Sequence, residues 1–226
     1  MSGAPVVCLH GLGRSASDWS AVRPALEALG PVRCPDLPRD PANALAAARA
    51  AVSGPAPVAL VGHSMGAVVA LRVAAEAPDR VRAVVLGGCF FPPARNGRSL
   101  PASVADYGRH RVAFVREARG GASAGSGGSG GSGGVGGRRG TGGSLRSLVG
   151  LAVRPARFDA LARAVRAPVL VVHAADDHHV PVDFALAAAA RHSAWTVRVL
   201  AGGGHHAHVT TPGAWVAAVA PWLRGA

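Results

Sequence analysis

The chain has 226 residues, of which 49% are hydrophobic, and its formal net charge is +12. This length and composition suit one α/β domain with a sizeable core, and they exclude a disordered or fibrous chain. All of the basic residues are arginines, scattered along the chain with few aromatic residues near them. We therefore expect no nucleic acid among the partners, because recognition of that kind needs clustered charge and stacking side chains.

The sequence does not indicate a membrane partner either. No apolar run approaches the roughly 20 residues that span a bilayer, and the first residues lack the basic segment and long apolar stretch of a signal peptide. The three cysteines, Cys8, Cys34 and Cys89, are odd in number and lie in strand-like segments. We interpret them as reduced, buried thiols of a cytoplasmic protein.

The first part of the chain alternates apolar runs with helical patterns. The continuous apolar run at 5–9 predicts a strand that is buried on both faces. Further strands are predicted at 32–34, from 58, and at 81–86. Apolar spacing or alanine content predicts helices between them, at 18–29, 41–52 and from the 62–66 turn to about 78. This order predicts a mostly parallel sheet with helices on both faces.

The alternation stops near residue 90 and resumes near 156. Between them, 14 of the 24 residues at 120–143 are glycine, and such a segment cannot bury enough surface to offset its ordering entropy. We expect a core of 1–90 and 156–226, interrupted by a glycine-rich cap at 91–155 that contains this disordered segment. The later strands, 169–173 and 195–200, bring the expected sheet to about six strands, and helices are expected at 182–192 and 212–223.

The segment Gly62-His63-Ser64-Met65-Gly66 stands between a strand-like and a helix-like run. A serine at the apex of so tight a turn is held in a strained conformation, with its Oγ projecting above the sheet. Side chains at positions 62 and 66 would collide with the adjoining strand and helix, so both positions require glycine. This context predicts that Ser64 is a nucleophile, and His63 is expected to be a packed or rim residue.

A serine at its ordinary pKa needs an adjacent base, and that base must come from a loop at the same edge of the sheet. His205 follows the last predicted strand behind three glycines. We prefer it to His206 and His208, which we expect at the surface or in support of the site. Asp177, in the loop after the preceding strand, is expected to orient the imidazole, and its neighbour Asp176 is the alternative.

An acyl transfer also needs two backbone N–H groups that bind the developing oxyanion. Met65 N–H, directly after the nucleophile, is one candidate. Leu12 N–H, in the turn His10-Gly11-Leu12-Gly13 after the first strand, is the other. We expect His10 to fix this turn by hydrogen bonding.

Two histidine-rich clusters, at 176–179 and 205–208, invite comparison with metal sites. Zinc requires three or four such side chains to converge, and neither cluster has strong ligand spacing. The expected triad also uses one residue of each cluster. We therefore expect no metal and no cofactor.

In this order the motifs resemble those of the α/β-hydrolase superfamily in its compact single-domain form. The resemblance covers about 5–90 and 156–224. Residues 10–13 are similar to the HGxG oxyanion turn, 36–38 to the DLPG-type loop, 62–66 to the nucleophile elbow, 177–181 to the D-x-x-V-P acid loop, and 204–212 to the GH-x-x-H segment. Arg39-Asp40-Pro41-Ala42 replaces the usual Gly-x-Gly-x-Ser after the second motif, so this rim departs from the family pattern.

The resemblance implies an α/β-hydrolase fold and a cytoplasmic serine hydrolase that cleaves a small to medium carboxylic ester through an acyl-enzyme. Its partner would be a small ester-like molecule. Thioester, lactone or carbon–carbon bond hydrolysis and perhydrolase chemistry on the same triad stay open. So do a non-catalytic binding module and an Arg/Gly-mediated nucleic-acid binder, and the sequence leaves the oligomeric state undetermined.

Overall fold

Parallel strands form the centre of the structure. The computed structural model describes residues 3–89, 91 and 155–226. Within them the strands are β1 Val6–Leu9, β2 Val32–Arg33, β3 Val58–His63, β4 Val81–Gly87, β5 Val169–Ala174 and β6 Trp195–Leu200. They pair in the order β2-β1-β3-β4-β5-β6, and every pairing is parallel. The predicted α/β class with about six mostly parallel strands is confirmed.

Helices cover both faces of this sheet. They are α1 Arg23–Glu27, α2 Pro41–Ala51, α3 Met65–Glu76, α4 Pro155–Ala164, α5 Val182–Ala190, α6 Ala207–Thr210 and α7 Pro212–Gly225. Side chains of α2, α3, α4 and α5 pack on one side of the strands, and those of α1 and α7 pack on the other. Because both faces are covered, β1, β3 and β5 are buried along their whole length, which explains why apolar residues dominate their sequences.

The helix predicted over 18–29 differs from the structure. The segment is divided into a 3₁₀ turn at Ala16–Trp19 and the short helix α1. Pro24 lies in the first turn of α1, where its missing N–H costs no hydrogen bond, whereas in the interior of a helix over 18–29 it would remove one. The proline therefore fixes where α1 begins.

The predicted cap lies almost wholly outside the described residues, so the division into core and cap stays a prediction. Phe91, at its expected beginning, is fully buried and packs edge to face on Phe158 of α4, with ring centroids 5.7 Å apart. Within the described parts of the chain, no helix is long and apolar enough to cross a membrane.

Since all six strands run in one direction, the loops that follow them meet at one edge of the sheet. The strand order changes direction between β1 and β3, and open α/β sheets bind their ligands in the crevice at such a point. The oxyanion turn follows β1 and Ser64 follows β3, so these two predicted elements flank the crevice. Asp177 and His205 follow β5 and β6 at the same edge.

Candidate active site

Ser64 connects β3 to α3 in an unusual backbone conformation. Its φ is 52° and its ψ is −115°, and in the described residues no other residue except glycine has a positive φ. A non-glycine residue in this region is strained and persists only where its surroundings hold it. The Ser64 N–H donates to the Gly87 carbonyl of β4 at 2.9 Å, which anchors the turn to the sheet.

Glycine is required on both sides of the serine by the close approach of other backbone. A Cβ on Gly62 would lie 2.5 Å from the Cα of Ala67 in α3, and a Cβ on Gly66 would lie 2.6 Å from the carbonyl oxygen of His10 and would overlap that of Leu9. These contacts press α3 against the ends of β1 and β3. The reason expected from the sequence for glycine at both positions agrees with this geometry.

The Ser64 side chain lies at the beginning of α3, and no hydrogen bond joins its Oγ to another described residue. Met65 is the first residue of this helix and is buried. The first N–H groups of a helix have no partner within it, and the positive end of the helix dipole lies there. The backbone beside Ser64 therefore suits a negatively charged oxygen.

The predicted oxyanion turn is fixed by the buried imidazole of His10. Its Nε2 accepts from the Leu37 N–H at 2.8 Å, so Nδ1 carries the proton and donates to the Gly11 carbonyl at 2.8 Å. A Cβ on Gly11 would lie 3.3 Å from the Ser64 Cβ, which brings this turn directly against the elbow. Leu12, the next residue, is half-buried on the same turn.

The loop that carries His205 begins with two glycines of positive φ, Gly203 at 115° and Gly204 at 59°. The Asp176 carboxylate holds them, since Oδ1 accepts from the Gly204 N–H at 2.8 Å and Oδ2 from the Gly203 N–H at 3.3 Å. This loop turns His205 back toward the elbow. The imidazole of His205 is buried, and its centroid lies 4.9 Å from that of His63, the residue before Ser64.

A buried carboxylate pairs with this imidazole. Asp177 Oδ2 accepts a hydrogen bond from His205 Nδ1 at 2.9 Å, while Oδ1 accepts from the His179 and Val180 N–H groups at 2.8 and 2.9 Å. Burial raises the pKa of the Asp177 carboxyl, but hydrogen bonds and charge from His173 and His205 outweigh it. The net pKa lies well below the ordinary value, so Asp177 is ionised at neutral pH.

The structure thus gives the two adjacent aspartates different contacts. Asp177 reaches the His205 ring, whereas Asp176 reaches the backbone that leads to it. Among the rival histidines, His208 is buried and does not lie at the surface, and His206 is half-buried.

His63 contributes more than packing. Its Nε2–H donates to the His205 carbonyl at 2.8 Å, and a Cβ on Gly11 would lie 3.0 Å from its Nδ1. One ring therefore contacts both the oxyanion turn and the loop of His205. Burial lowers the pKa of His63 well below its ordinary value, and the nearby imidazoles of His208, His205 and His206 lower it further. The ring is consequently neutral.

His208 packs behind His63, with ring centroids 4.5 Å apart, and against Trp19 at 4.7 Å. Burial lowers its pKa to about 3, with smaller contributions from His206 and Arg14. Its side chain is held neutral in the interior at physiological pH.

Sequence reasoning missed His173 entirely. This residue lies in β5, and its fully buried Nε2 is 2.7 Å from the Val180 carbonyl and 3.3 Å from Asp177 Oδ2. It therefore contacts both the Asp177 carboxylate and the backbone of the loop that carries it. A lone histidine inside an apolar strand, four residues before the predicted acid, was the available signal.

Across the described residues, no group of three or more histidine, cysteine, aspartate or glutamate side chains is arranged to hold a metal ion. The two histidine-rich clusters point their members to different partners. His205 donates to Asp177, whereas His208 packs between His63 and Trp19.

Known proteins resemble this chain in sequence. The sequence model of the family described as Alpha/beta hydrolase family matches residues 6–219. The dihydrolipoyllysine-residue acetyltransferase component of the acetoin cleaving system of Pseudomonas putida is 33% identical over 124 residues, which are 49% of this chain and 34% of that protein. The matched part thus spans about a third of the length of that relative.

Solved structures resemble the chain over nearly its whole length. A thermophilic esterase from Thermogutta terrifontis is 22% identical, with a TM-score of 0.68 over 99% of this chain and 90% of that one. A carboxylesterase structure from the thaumarchaeon Nitrososphaera gargenis is 16% identical, with a TM-score of 0.69 over 98% and 90% of the two chains. At these identities the likeness concerns the fold.

Proposed function

Since the chain belongs to the alpha/beta hydrolase family and is a hydrolase, we propose that it cleaves a small to medium carboxylic ester through an acyl-enzyme. Ser64 is the nucleophile, His205 the general base and Asp177 the acid that orients it. The N–H groups of Leu12 and Met65 bind the oxyanion. The substrate is a small molecule and the location cytoplasmic, as the sequence leads us to expect.

One observation supports this proposal above all others. The buried hydrogen bond of 2.9 Å between His205 Nδ1 and Asp177 Oδ2 lies at the same sheet edge as the strained Ser64. A carboxylate on Nδ1 keeps the proton of the neutral imidazole there and leaves Nε2 as the acceptor position. It also stabilises the imidazolium that forms when the base takes a proton.

Acylation then proceeds in one addition and one elimination. Ser64 Oγ attacks the ester carbonyl while His205 Nε2 takes the hydroxyl proton, and the carbonyl oxygen becomes an oxyanion held by Leu12 and Met65 N–H. His205 next gives that proton to the departing alkoxide, so an alcohol leaves and Ser64 carries the acyl group. Removing one oxyanion donor typically costs about 10² to 10³ in turnover.

Deacylation repeats these steps with water as the nucleophile. His205 takes a proton from the water, which attacks the acyl carbonyl, and then returns the proton to Ser64 Oγ as the acid leaves. Asp177 stays ionised throughout, in keeping with its lowered pKa. No cofactor is needed for either half of the reaction.

An active-site label and a substrate series test the proposal. A fluorophosphonate is expected to label the folded protein stoichiometrically at Ser64, and Ser64→Ala is expected to abolish labelling. Turnover of p-nitrophenyl acyl esters of graded chain length is expected to peak at a short or medium chain. Absence of labelling in folded protein would favour a non-catalytic binding module, and labelling without ester turnover would favour another reaction on the same triad.

A further inference from the structure

Two thiols lie on neighbouring chain segments, Cys8 in β1 and Cys34 directly after the edge strand β2. The pairing of β1 with β2 aligns Val6 with Val32 and Val7 with Arg33. The next step of this register brings Cys8 opposite Cys34. Both side chains pack in the same hydrophobic cluster on the α1 side of the sheet, and each thiol shifts the pKa of the other.

The spacing of such a pair suits a disulfide. Neighbouring strands lie about 4.8 Å apart, and a disulfide joins Cα atoms that are roughly 4.4 to 6.8 Å apart. Rotation of the two side chains is therefore enough to bond the sulfurs. The third cysteine, Cys89, follows β4 and is buried in the cluster on the opposite face, remote from this pair.

The two thiols differ in access and in acidity. Cys34 is half-exposed, whereas Cys8 is fully buried. The neighbouring Cys8 thiol lowers the pKa of Cys34, and the Arg23 guanidinium adds to this against the opposing effects of burial and Glu27. Burial raises the pKa of Cys8 well above its ordinary value. An oxidant therefore meets Cys34 first, and in its more reactive state.

We propose that Cys34 and Cys8 form an oxidation site that reacts with a hydroperoxide and closes to a cross-strand disulfide. In the first step the Cys34 thiolate attacks a peroxide oxygen. An S–O bond forms, the O–O bond breaks, and the departing oxygen takes a proton to leave as water or an alcohol. In the second step the Cys8 sulfur attacks the Cys34 sulfenic acid. The S–S bond forms, the S–O bond breaks, and the hydroxide leaves as water with the Cys8 proton.

This site connects to the oxyanion turn through the two strands. Cys8 lies two residues before His10, and Cys34 lies three residues before Leu37. The Leu37 N–H donates to His10 Nε2 at 2.8 Å, so the same two strands already meet at their carboxyl ends. The disulfide fixes their separation just before this contact.

Peptide mapping of the whole protein tests the site. The reduced protein is treated with a small excess of hydrogen peroxide, its remaining thiols are alkylated, and it is digested with trypsin without reductant. Cleavage at arginine separates Cys8 in peptide 1–14, Cys34 in peptide 34–39 and Cys89 in peptide 83–95. We expect peptide 1–14 linked to peptide 34–39 with the loss of two hydrogens, and Cys89 alkylated on its own peptide.

Two variants sharpen the assignment. Cys89→Ser is the matched control and is expected to give the same linked peptides in the same yield. Cys8→Ser is expected to leave Cys34 as a sulfenic acid that is trapped by dimedone. Unlinked peptides in peroxide-treated wild-type protein, or a link that includes Cys89, would overturn the proposal. The wild-type experiment decides the matter even if Cys8→Ser fails to fold.

Discussion

The two halves of the candidate site are built by different means. The Ser64 half depends on backbone fit: a strained φ, and two glycines against which carbonyl groups and α3 pack closely. The His205 half depends on side-chain hydrogen bonds, which the carboxylates of Asp176 and Asp177 supply to the loop and to the ring. Backbone fit responds to added volume, whereas side-chain bonding responds to changed charge and donor pattern, so the halves should fail differently.

The largest effect is expected at the nucleophile itself. Ser64→Ala removes the attacking oxygen without adding volume, so we expect turnover of the best p-nitrophenyl ester to fall by about 10⁶-fold. The thermal midpoint is expected to stay at or above that of the wild type, because alanine replaces a side chain with no hydrogen bond to a described residue. A variant that retained a tenth of the activity would contradict the proposed mechanism.

The adjacent aspartates provide a matched pair. Asp177→Asn puts an amide beside His205 Nδ1 and favours the wrong tautomer, so we expect kcat to fall by about 10⁴-fold. Asp176→Asn keeps a side-chain oxygen for the Gly204 N–H, and we expect a loss of at most about tenfold, since a hydrogen bond is weakened and not removed. Steady-state kinetics on both variants compares them directly, and equal losses would refute the distinction between ring and loop contacts.

His63 joins the two halves, and its role can be separated from its bulk. His63→Phe keeps the ring but leaves the His205 carbonyl without its donor, so we expect kcat to fall about tenfold with KM nearly unchanged. His63→Gln places a donor near the position of Nε2 and is expected to restore most of this loss. If the two variants have the same kinetics and the same thermal midpoint, the position of the His205 loop depends on ring packing and not on this hydrogen bond.

Added volume is expected to reduce stability most in the Ser64 half of the site, which depends on backbone fit. Gly66→Ala would overlap the Leu9 carbonyl, and we expect the free energy of unfolding to fall by about 3 kcal/mol. The control is Gly213→Ala in α7, where a Cβ would meet nothing within 4 Å. There the better helix propensity of alanine is expected to stabilise the protein by about 0.5 kcal/mol. Urea unfolding measures the free energy of unfolding of both variants. Equal changes in the two would contradict the expectation that close backbone packing makes Gly66 the more sensitive position.

The last effect is the pH dependence of stability that the buried imidazoles beside the site produce. The pKa of His208 lies at about 3 in the folded protein against 6.5 ordinarily. Between these pH values the unfolded chain binds a proton that the folded chain does not. The free energy of unfolding therefore decreases as the pH falls, by about 1.4 kcal/mol per pH unit for each such group. We expect His208→Phe to reduce this slope in urea unfolding between pH 6 and pH 4, and an unchanged slope would refute the assignment.

The Ser64 half could be predicted from the sequence because the residues that determine it are close together in the chain. The alternation of apolar runs indicated all six strands, and glycines around Ser64 can be explained by contacts that a Cβ would make. Pro24 was equally visible, yet the apolar spacing around it led to a longer helix than α1. The position of the proline within a helix decides its effect, and spacing alone does not give that position.

The His205 half was harder to predict from the sequence, because its contacts join residues that are far apart in the chain. Asp176 and Asp177 are adjacent and chemically identical, and only the folded loop distinguishes which carboxylate reaches the ring. His173 acts from inside a strand whose apolar pattern conceals it. His208 becomes buried through Trp19 and His63, two residues that no local pattern relates to it.

The direct pairing of β4 with β5 has a consequence for engineering this protein. Gly87 lies opposite Val172 in that ladder, although more than eighty residues of chain run between the two strands. The entropic cost of closing a loop grows only with the logarithm of its length, so residues 92–154 of the connecting segment can be exchanged or shortened at little entropic cost to this pairing. Under the proposed function, grafting other sequences into this segment tests whether it sets the ester preference while Ser64, Asp177 and His205 are retained.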